Sequence, residues 1–168
     1  MKFFETLAHV YRLSFITRFP NRYRIRDENV AQHSFFVSVI VMLLHEEYDF
    51  ELGAALQAAV SHDIVEADLG DTPHSVKQRH VDVTNELDRA EQKELQKYPI
   101  GIIQGVELFN SWDVEGLVCR LADVLQVSQY ISAEESLGNT TLHSVSTEIR
   151  HRIDALRGRL QQYERKNK

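Results

Sequence analysis

The most informative segment of this chain is Leu56-Gln57-Ala58-Ala59-Val60-Ser61-His62-Asp63. An apolar helical run ends in an imidazole followed directly by a carboxylate, so a nitrogen and an oxygen ligand stand side by side. Glu66 comes one turn later, on the same face of a continuing helix. Charged side chains are rarely buried without a partner. The stretch therefore predicts a buried helix whose polar end serves a metal ion, although a His-Asp pair alone occurs by chance in many proteins.

Helical periodicity extends outward from this stretch over almost the whole chain, and the sequence contains no convincing strand pattern. Asn29 and Gln32 form a capping-box pattern ahead of a very apolar helix, which we expect at the centre of the bundle. Gly70 ends the helix that carries His62. The predicted helices cover residues 3–16, 30–48, 51–69, 84–98, 102–109, 114–137 and 141–163. We predict an all-α, single-domain helical bundle of about six or seven helices over residues 1–168.

Composition excludes several classes of protein. The net charge of −6 argues against a protein that coats nucleic acid. Cys119 is the only cysteine, which excludes an internal disulfide and a cysteine-rich zinc site and fits a cytoplasmic location. The longest apolar stretch, residues 35–44, is too short to span a bilayer, and the first residues lack the features of a signal peptide. We therefore expect a cytoplasmic protein with neither a nucleic-acid polymer nor a membrane as its partner.

The basic residues are unevenly distributed, because Arg18, Arg22, Arg24 and Arg26 fall within nine residues. A local positive cluster on an acidic protein suits a small anionic ligand better than a polymer. The alternative is a solvated loop with ordinary surface arginines. The cluster alone leaves both interpretations open.

Two further residues are candidate partners for His62 and Asp63. His33 stands at the start of the apolar second helix, and Asp123 lies inside the apolar run 117–125. A lone histidine on an apolar helix is usually a hydrogen-bonded core residue, and a lone aspartate there usually pairs with an arginine, for which Arg120 is available. Coincidence becomes a poor explanation when all four residues fall on three helices that should face one core.

Two imidazoles and two carboxylates suit a divalent transition metal ion such as Mn²⁺, Co²⁺, Fe²⁺ or Zn²⁺. Such an ion can ionise a bound water near neutral pH for attack on a phosphorus centre. Glu66 is placed to orient or deprotonate that water, or to protonate the leaving group. The ordinary interpretation of Glu66 is an exposed acid near a helix end.

The pattern His33…His62-Asp63…Asp123 resembles the HD-domain phosphohydrolase superfamily. Three parts of the chain are similar to one branch, the YfbR-type 5′-deoxynucleotidases. They are Arg18-Phe19-Pro20 with residues 26–34, the segment 62–73 with Val76-Lys77, and Ala122-Asp123 with Glu134-Glu135 and Gly138-Asn139. The likeness covers roughly residues 7–140. Phage deoxynucleoside triphosphohydrolases share much of the same pattern.

The resemblance implies a role for each matching residue. It makes His33, His62, Asp63 and Asp123 the metal ligands, and Glu66 the catalytic acid. It also implies substrate-binding roles, which belong to Arg18 for the phosphate, to Phe19 and Asp71 beside the sugar, and to Lys77 as a second cation for the phosphate. Phe19 stands where the family carries a Trp, which leaves the sugar and base selectivity open. His74 and Ser75 also depart from the family's more apolar loop.

The function that this resemblance implies is metal-dependent hydrolysis of deoxynucleoside 5′-monophosphates, with a small deoxynucleotide as partner and a homo-oligomeric assembly. One alternative is a triphosphohydrolase that releases triphosphate, for example from dATP. A second is a nucleotide-binding HD protein without turnover, against which the intact ligand set and Glu66 argue. The third is a helical interaction protein, which requires all four ligands to be coincidental.

Overall fold

The computed structural model describes residues 3–72 and 80–167, and within these ranges the protein is all-α. The helices are α1 (Phe3–Val10), α2 (Val30–Leu44), α3 (Leu52–Ser61), α4 (Glu66–Leu69), α5 (Val81–Leu95), α6 (Ile100–Asn110), α7 (Val114–Ser136) and α8 (His143–Asn167). The described residues also form two 3₁₀ helices. Tyr11–Phe15 follows α1, and Thr140–Leu142 comes directly before α8. Seven of the described helices have eight residues or more, which confirms the predicted all-α bundle of about six or seven helices.

The longest central element is α7, which packs against α2, α3, α6 and α8. Its apolar residues join those of α2 and α3 in a core where Val37, Val41, Ala58, Val118 and Leu121 are fully buried. This packing brings the C-terminal end of α3 and the middle of α7 to the buried face of α2. Three helices therefore converge at one place in the core.

The expectation that α2 lies at the centre of the bundle is wrong in part. One face of α2 is buried, but Phe35 and Leu43 on the other face are 63% and 64% exposed. In the first predicted helix, residues 3–16, Phe4 and Tyr11 are exposed as well, with 79% and 69% of their surface accessible. Apolar periodicity identified these helices without showing whether each apolar face has a partner within the chain.

The start of α2 is held by the predicted capping box. The Asn29 side chain accepts a hydrogen bond from the Gln32 backbone N–H at 2.9 Å, and the Gln32 side chain accepts one from the Asn29 N–H at 3.1 Å. The His33 N–H then donates to the Asn29 carbonyl at 3.0 Å. The cap therefore sets where His33 enters the core.

The predicted helix 51–69 is interrupted at the His-Asp pair. Between α3 and α4 the chain forms a tight turn over residues 62–65, in which the N–H of Ile64 donates to Ser61 and that of Glu66 donates to Asp63, each at 3.0 Å. These hydrogen bonds span three residues, as in a 3₁₀ helix. Glu66 thus begins a new short helix, so the prediction that it continues the face of one long helix is wrong.

The C-terminal end of α7 anchors the segment that leads to α2. Glu134 is fully buried and accepts hydrogen bonds from the backbone N–H groups of Ile25 (2.7 Å) and Arg26 (2.8 Å) and from the Asn139 amide (2.8 Å). Asn139 also donates to the Tyr23 carbonyl at 3.1 Å. Burial raises the pKa of Glu134, but these hydrogen bonds lower it by more than burial raises it. The pKa is therefore below its ordinary value, and the carboxyl stays ionised.

Replacing Glu134 by glutamine is expected to destabilise the protein by about 3 kcal/mol at neutral pH, because the amide nitrogen leaves a buried donor without an acceptor. A lowered pKa stabilises the fold above the ordinary glutamate value of about 4.3, and this contribution disappears as the pH falls through the folded-state pKa. The difference in free energy of unfolding between wild type and Glu134→Gln should therefore become smaller in acid. Urea unfolding at pH 7 and near pH 3 measures it.

The neighbouring Glu135→Gln variant is the matched control, since Glu135 Oε1 lies 3.5 Å from the exposed His143 and has no hydrogen-bond partner among the described residues. Its free energy of unfolding should stay within about 0.5 kcal/mol of wild type. Equal stabilities for Glu134→Gln and Glu135→Gln would show that the anchor contributes nothing.

Candidate active site

Three parts of the fold bring potential metal ligands together. His33 of α2, His62 at the end of α3 and Asp123 of α7 place their ligand atoms within 4.8 Å of one another. The His33 Nε2 atom is 3.2 Å from His62 Nε2 and 3.3 Å from an oxygen of Asp123. Asp63 joins this group, because its Oδ2 atom is 3.2 Å from His62 Nε2 and 3.6 Å from His33 Nε2. All four predicted ligands therefore meet in the folded chain.

The hydrogen bonds behind the two imidazoles assign their tautomers. The Nδ1 atom of His62 lies 2.8 Å from the Ala59 carbonyl, which can only accept, so this nitrogen carries the proton. The Gln126 amide nitrogen donates to Glu28 at 2.6 Å, which turns the Gln126 oxygen toward His33 Nδ1 at 2.7 Å. His33 Nδ1 is then a donor too. In each neutral ring the Nε2 lone pair then faces the centre, where a metal ion could take it in place of a proton.

The donor set fits a divalent transition metal ion. Each imidazole Nε2 lies 3.2–3.6 Å from a carboxylate oxygen, and two imidazoles with two carboxylates are ligands that such ions prefer. Burial opposes the charge on Asp63, but His62, His33 and Arg18 hold its pKa below the ordinary range. His33 and His62 likewise lower the pKa of Asp123 against the effect of burial. Both carboxylates are thus ionised and able to bind a metal ion.

Arg18 lies at the edge of this centre. Its side chain is only 12% exposed, its Nη1 donates to Asp63 at 3.0 Å, and its Nε lies 3.5 Å from Glu28. Burial lowers the pKa of Arg18, but the carboxylates of Asp63, Asp123, Glu66 and Asp71 raise it above its ordinary value. A permanent cation therefore stands beside the metal ligands, where it can meet an anionic substrate group.

Phe19 is held in an unusual backbone conformation. Its φ angle is +54°, in the left-handed region that non-glycine residues rarely occupy, and its N–H donates to the Asp71 carboxylate at 2.9 Å. The ring stacks on Tyr130 with a centroid distance of 5.2 Å and an interplanar angle of 5°. Such backbone strain clusters at ligand-binding sites. Asp71 thus helps to position the Phe19 ring next to Arg18.

Glu66 and Lys77 differ in what the structure describes. Glu66 is half-buried at the start of α4, and its charge is close enough to Arg18 to contribute to the raised pKa of that guanidinium. Lys77 lies outside the described residues, as do His74 and Ser75. The roles implied for Glu66 and Lys77 therefore stay predictions.

The basic cluster is partly structural. Arg24 donates to Asp27 at 2.6 Å and to the Phe19 carbonyl at 3.2 Å, so it braces the loop around the strained residue. Arg22 is exposed. The suggested pairing of Asp123 with Arg120 is wrong, because Arg120 donates to the Phe109 carbonyl and stacks over Trp112 instead. Of the four arginines, Arg18 is the one that the fold directs to the metal ligands.

Sequence reasoning missed Glu28, Gln126 and Tyr130. Gln126 lies three residues after Asp123, so helical spacing places it on nearly the same face of α7, and this is the signal that could have found it. Glu28 and Gln126 also line a cavity of about 370 Å³ between α2 and α7. None of the four predicted metal ligands lines this cavity, so it is separate from the cluster of ligand atoms.

No helix in the described ranges is long and apolar enough to cross a membrane.

Solved structures share this fold. A protein from Pyrococcus horikoshii matches with a TM-score of 0.81 at 23% identity over 95% of each chain. An HD-domain phosphohydrolase from Listeria innocua gives a TM-score of 0.78 at 18% identity, over 98% of this chain and 87% of that one. The cyanophage S-2L HD phosphohydrolase DatZ, bound to dA and one catalytic Zn²⁺, matches with a TM-score of 0.70 at 16% identity. The match covers 99% of this chain and 96% of that one. The fold is that of the HD-domain phosphohydrolases.

The chain belongs to the YfbR-like 5′-deoxynucleotidase family, whose profile matches residues 2–164. It is 26% identical over 177 aligned positions to the 5′-deoxynucleotidase YfbR of Salmonella paratyphi B, covering 97% of this chain and 89% of that protein. It is 32% identical over 102 positions to a 5′-deoxynucleotidase of Shewanella oneidensis, but this alignment spans only 52% of that relative. The resemblance stated from the sequence is confirmed.

Proposed function

We propose that this protein hydrolyses deoxynucleoside 5′-monophosphates to deoxynucleoside and phosphate, with residues 1–168 acting as one catalytic domain. The observation that carries the proposal is the convergence of His33, His62, Asp63 and Asp123 directly beside the buried guanidinium of Arg18. Membership of the YfbR-like family supports the choice of a deoxynucleotide as substrate.

The four converging residues would hold a divalent ion, for which Zn²⁺, Co²⁺, Mn²⁺ and Fe²⁺ are the candidates. When bound, such an ion polarises the phosphate and favours ionisation of the attacking water. Arg18 neutralises phosphate charge as the bond between phosphorus and the 5′-oxygen breaks. Glu66 donates the proton that the leaving 5′-oxygen needs. Phe19, stacked on Tyr130, packs beside the deoxyribose.

The arginine contacts favour a monophosphate over a triphosphate. One dianionic phosphate can be matched by a divalent ion and Arg18, whereas a triphosphate brings further charge that needs other cations. Arg24 is already engaged by Asp27 and the Phe19 carbonyl, which leaves the exposed Arg22 and Arg26 as the other described members of the cluster. Two further candidate cations, Lys77 and Arg79, lie outside the described residues.

We also propose a cytoplasmic homo-oligomer with no nucleic-acid polymer as partner. The net charge of −6 supports the last point. Exposed apolar side chains support self-association: Phe4 of α1, Tyr11 of the following 3₁₀ helix, and Phe35 and Leu43 of α2 are each more than half accessible. The mass of the purified protein in solution tests the assembly.

The proposed reaction is tested by a substrate screen of purified protein reconstituted with each of the four metal ions. Every deoxy- and ribonucleoside mono- and triphosphate is supplied, and the assay separates phosphate from triphosphate as product. We expect phosphate release from deoxynucleoside monophosphates at the highest kcat/KM. Intact triphosphate released from dATP, at a kcat/KM well above that for dAMP, would replace the proposal with a triphosphohydrolase.

Arg18→Ala is expected to lower kcat/KM for every substrate by about 10- to 100-fold, the loss typical of a charge-assisted hydrogen bond of 1.5–3 kcal/mol. Arg22→Ala is the matched control, because Arg22 is exposed on the same segment. It should change turnover only if a triphosphate is the true substrate. Initial-rate kinetics on dAMP and dATP measure both variants. Equal rates for wild type and Arg18→Ala would show that Arg18 does not bind the substrate phosphate.

A further inference from the structure

A buried chain of polar contacts joins the metal ligands to Arg18 from behind. It starts at His33, whose Nδ1 lies 2.7 Å from the Gln126 oxygen, and continues from the Gln126 nitrogen to Glu28 Oε1 at 2.6 Å. The second oxygen of Glu28 lies 3.5 Å from Arg18 Nε. His33, Gln126 and Glu28 are 0%, 4% and 8% exposed, and Gln126 and Glu28 border the cavity between α2 and α7.

The directions of these hydrogen bonds follow from their end at Glu28. Burial raises the pKa of Glu28 and Arg18 and His33 oppose this effect, while the Gln126 NH₂ group donates to Glu28 Oε1 and the Gln126 oxygen faces His33 Nδ1. His33 must then carry its proton on Nδ1, which leaves Nε2 for a metal ion. Without Gln126, neither tautomer of His33 would be selected by a described side chain behind the ring.

The other oxygen of Glu28 acts on Arg18. Neither Glu28 Oε2 nor Arg18 Nε makes a hydrogen bond among the described residues, although both atoms are buried. Their charges attract each other at 3.5 Å, which holds the Nε edge of the guanidinium toward Glu28. The Nη1 edge then points to Asp63 and the metal centre. A planar guanidinium held along one edge has a defined orientation for a phosphate.

We propose that Glu28 is a positioning residue that sets two parts of the site at once, the tautomer of His33 through Gln126 and the orientation of Arg18 directly. The effect of Glu28 on the orientation of Arg18, called the Arg18 arm below, rests on the proposed phosphohydrolase function. The effect on the tautomer of His33, called the His33 arm, does not, because it concerns metal binding alone. Each arm therefore has its own measurement.

The His33 arm is tested by Gln126→Met, which keeps the side-chain length and removes the amide. We expect metal binding, measured by competition with a chelating dye, to weaken about 10- to 100-fold, as for other partners that orient a metal-binding histidine. KM for a deoxynucleoside monophosphate should change less than about twofold, since Arg18 keeps Glu28. Gln129→Met is the control, because Gln129 is exposed on the same helix.

The Arg18 arm is tested by Glu28→Gln. The new amide oxygen can still accept from Gln126, so metal affinity should stay within about threefold of wild type, while a neutral group no longer attracts Arg18. We expect KM for the monophosphate to rise about 10-fold, the effect of losing one charge-assisted contact. Asp27→Asn is the control, because it removes a negative charge at the adjacent exposed position and keeps an oxygen for Arg24.

One measurement reads the tautomer of His33 directly. Long-range ¹H–¹⁵N spectra of the neutral His33 ring in the metal-free wild type should show its single proton on Nδ1, and Gln126→Met should show a mixture of tautomers. A neutral ring with its proton on Nε2 in the wild type overturns the His33 arm even if the variant does not fold. Parallel changes of metal affinity, KM and melting temperature in both variants overturn the division into two arms. Absence of phosphatase activity in the wild type rejects the proposed function, but the tautomer and metal affinities still decide the His33 arm.

Discussion

Replacing Asp63 by alanine is expected to abolish tight metal binding and hydrolysis together. One Asp63 oxygen lies within 3.6 Å of the Nε2 atoms of both His33 and His62, so the variant loses an oxygen from the middle of the ligand set. Outer contacts orient ligands but cannot replace one that binds the ion. Metal content after desalting and phosphate release from deoxynucleoside monophosphates, measured on the same sample, should both fall to background.

The control for this variant is Asp68→Ala. Asp68 lies on the neighbouring short helix but contacts His9 at 2.8 Å and Tyr98 at 3.3 Å, away from the metal ligands. Its loss should lower the melting temperature and leave metal content near one equivalent. Full activity of Asp63→Ala, or of wild type stripped with a chelator, would show that the four converging residues do not form a catalytic metal centre.

Much of the fold could be predicted because its local signals are strong. The pairing of Asn29 with Gln32 located the start of α2, and apolar periodicity located α7. The break between α3 and α4 was missed because it depends on hydrogen bonds that hydropathy does not report. His62 contacts the Ala59 carbonyl, and the backbone N–H of Glu66 donates to Asp63 within the tight turn.

The site was predictable where residue type carries the chemistry. His33, His62, Asp63 and Asp123 stand out as imidazoles and carboxylates in apolar surroundings, and the resemblance gave them roles. Glu28 and Gln126 did not stand out, because a glutamate in a polar segment and a glutamine on a helix are ordinary surface residues in sequence. Only the packing of α2 against α7 buries them and joins them to His33 and Arg18.

Glu66→Ala is expected to separate chemistry from metal binding. The resemblance makes Glu66 the catalytic acid and not a ligand, and its charge acts on Arg18 at the edge of the four converging residues. Metal content should therefore stay near that of wild type while kcat falls about 10²- to 10⁴-fold, the usual contribution of a general acid or base. Steady-state kinetics and metal analysis on one preparation measure the two effects.

Glu66→Gln sharpens this test, because the amide preserves the size and polarity of the side chain but cannot transfer a proton. It should lose nearly as much kcat as the alanine variant, and the limb of the pH–rate profile that reports this group should flatten. Near-wild-type kcat in Glu66→Gln would give Glu66 a packing role. Loss of metal along with activity in either variant would instead make Glu66 a ligand, and the proton for the leaving 5′-oxygen would then have to come from another group of the site.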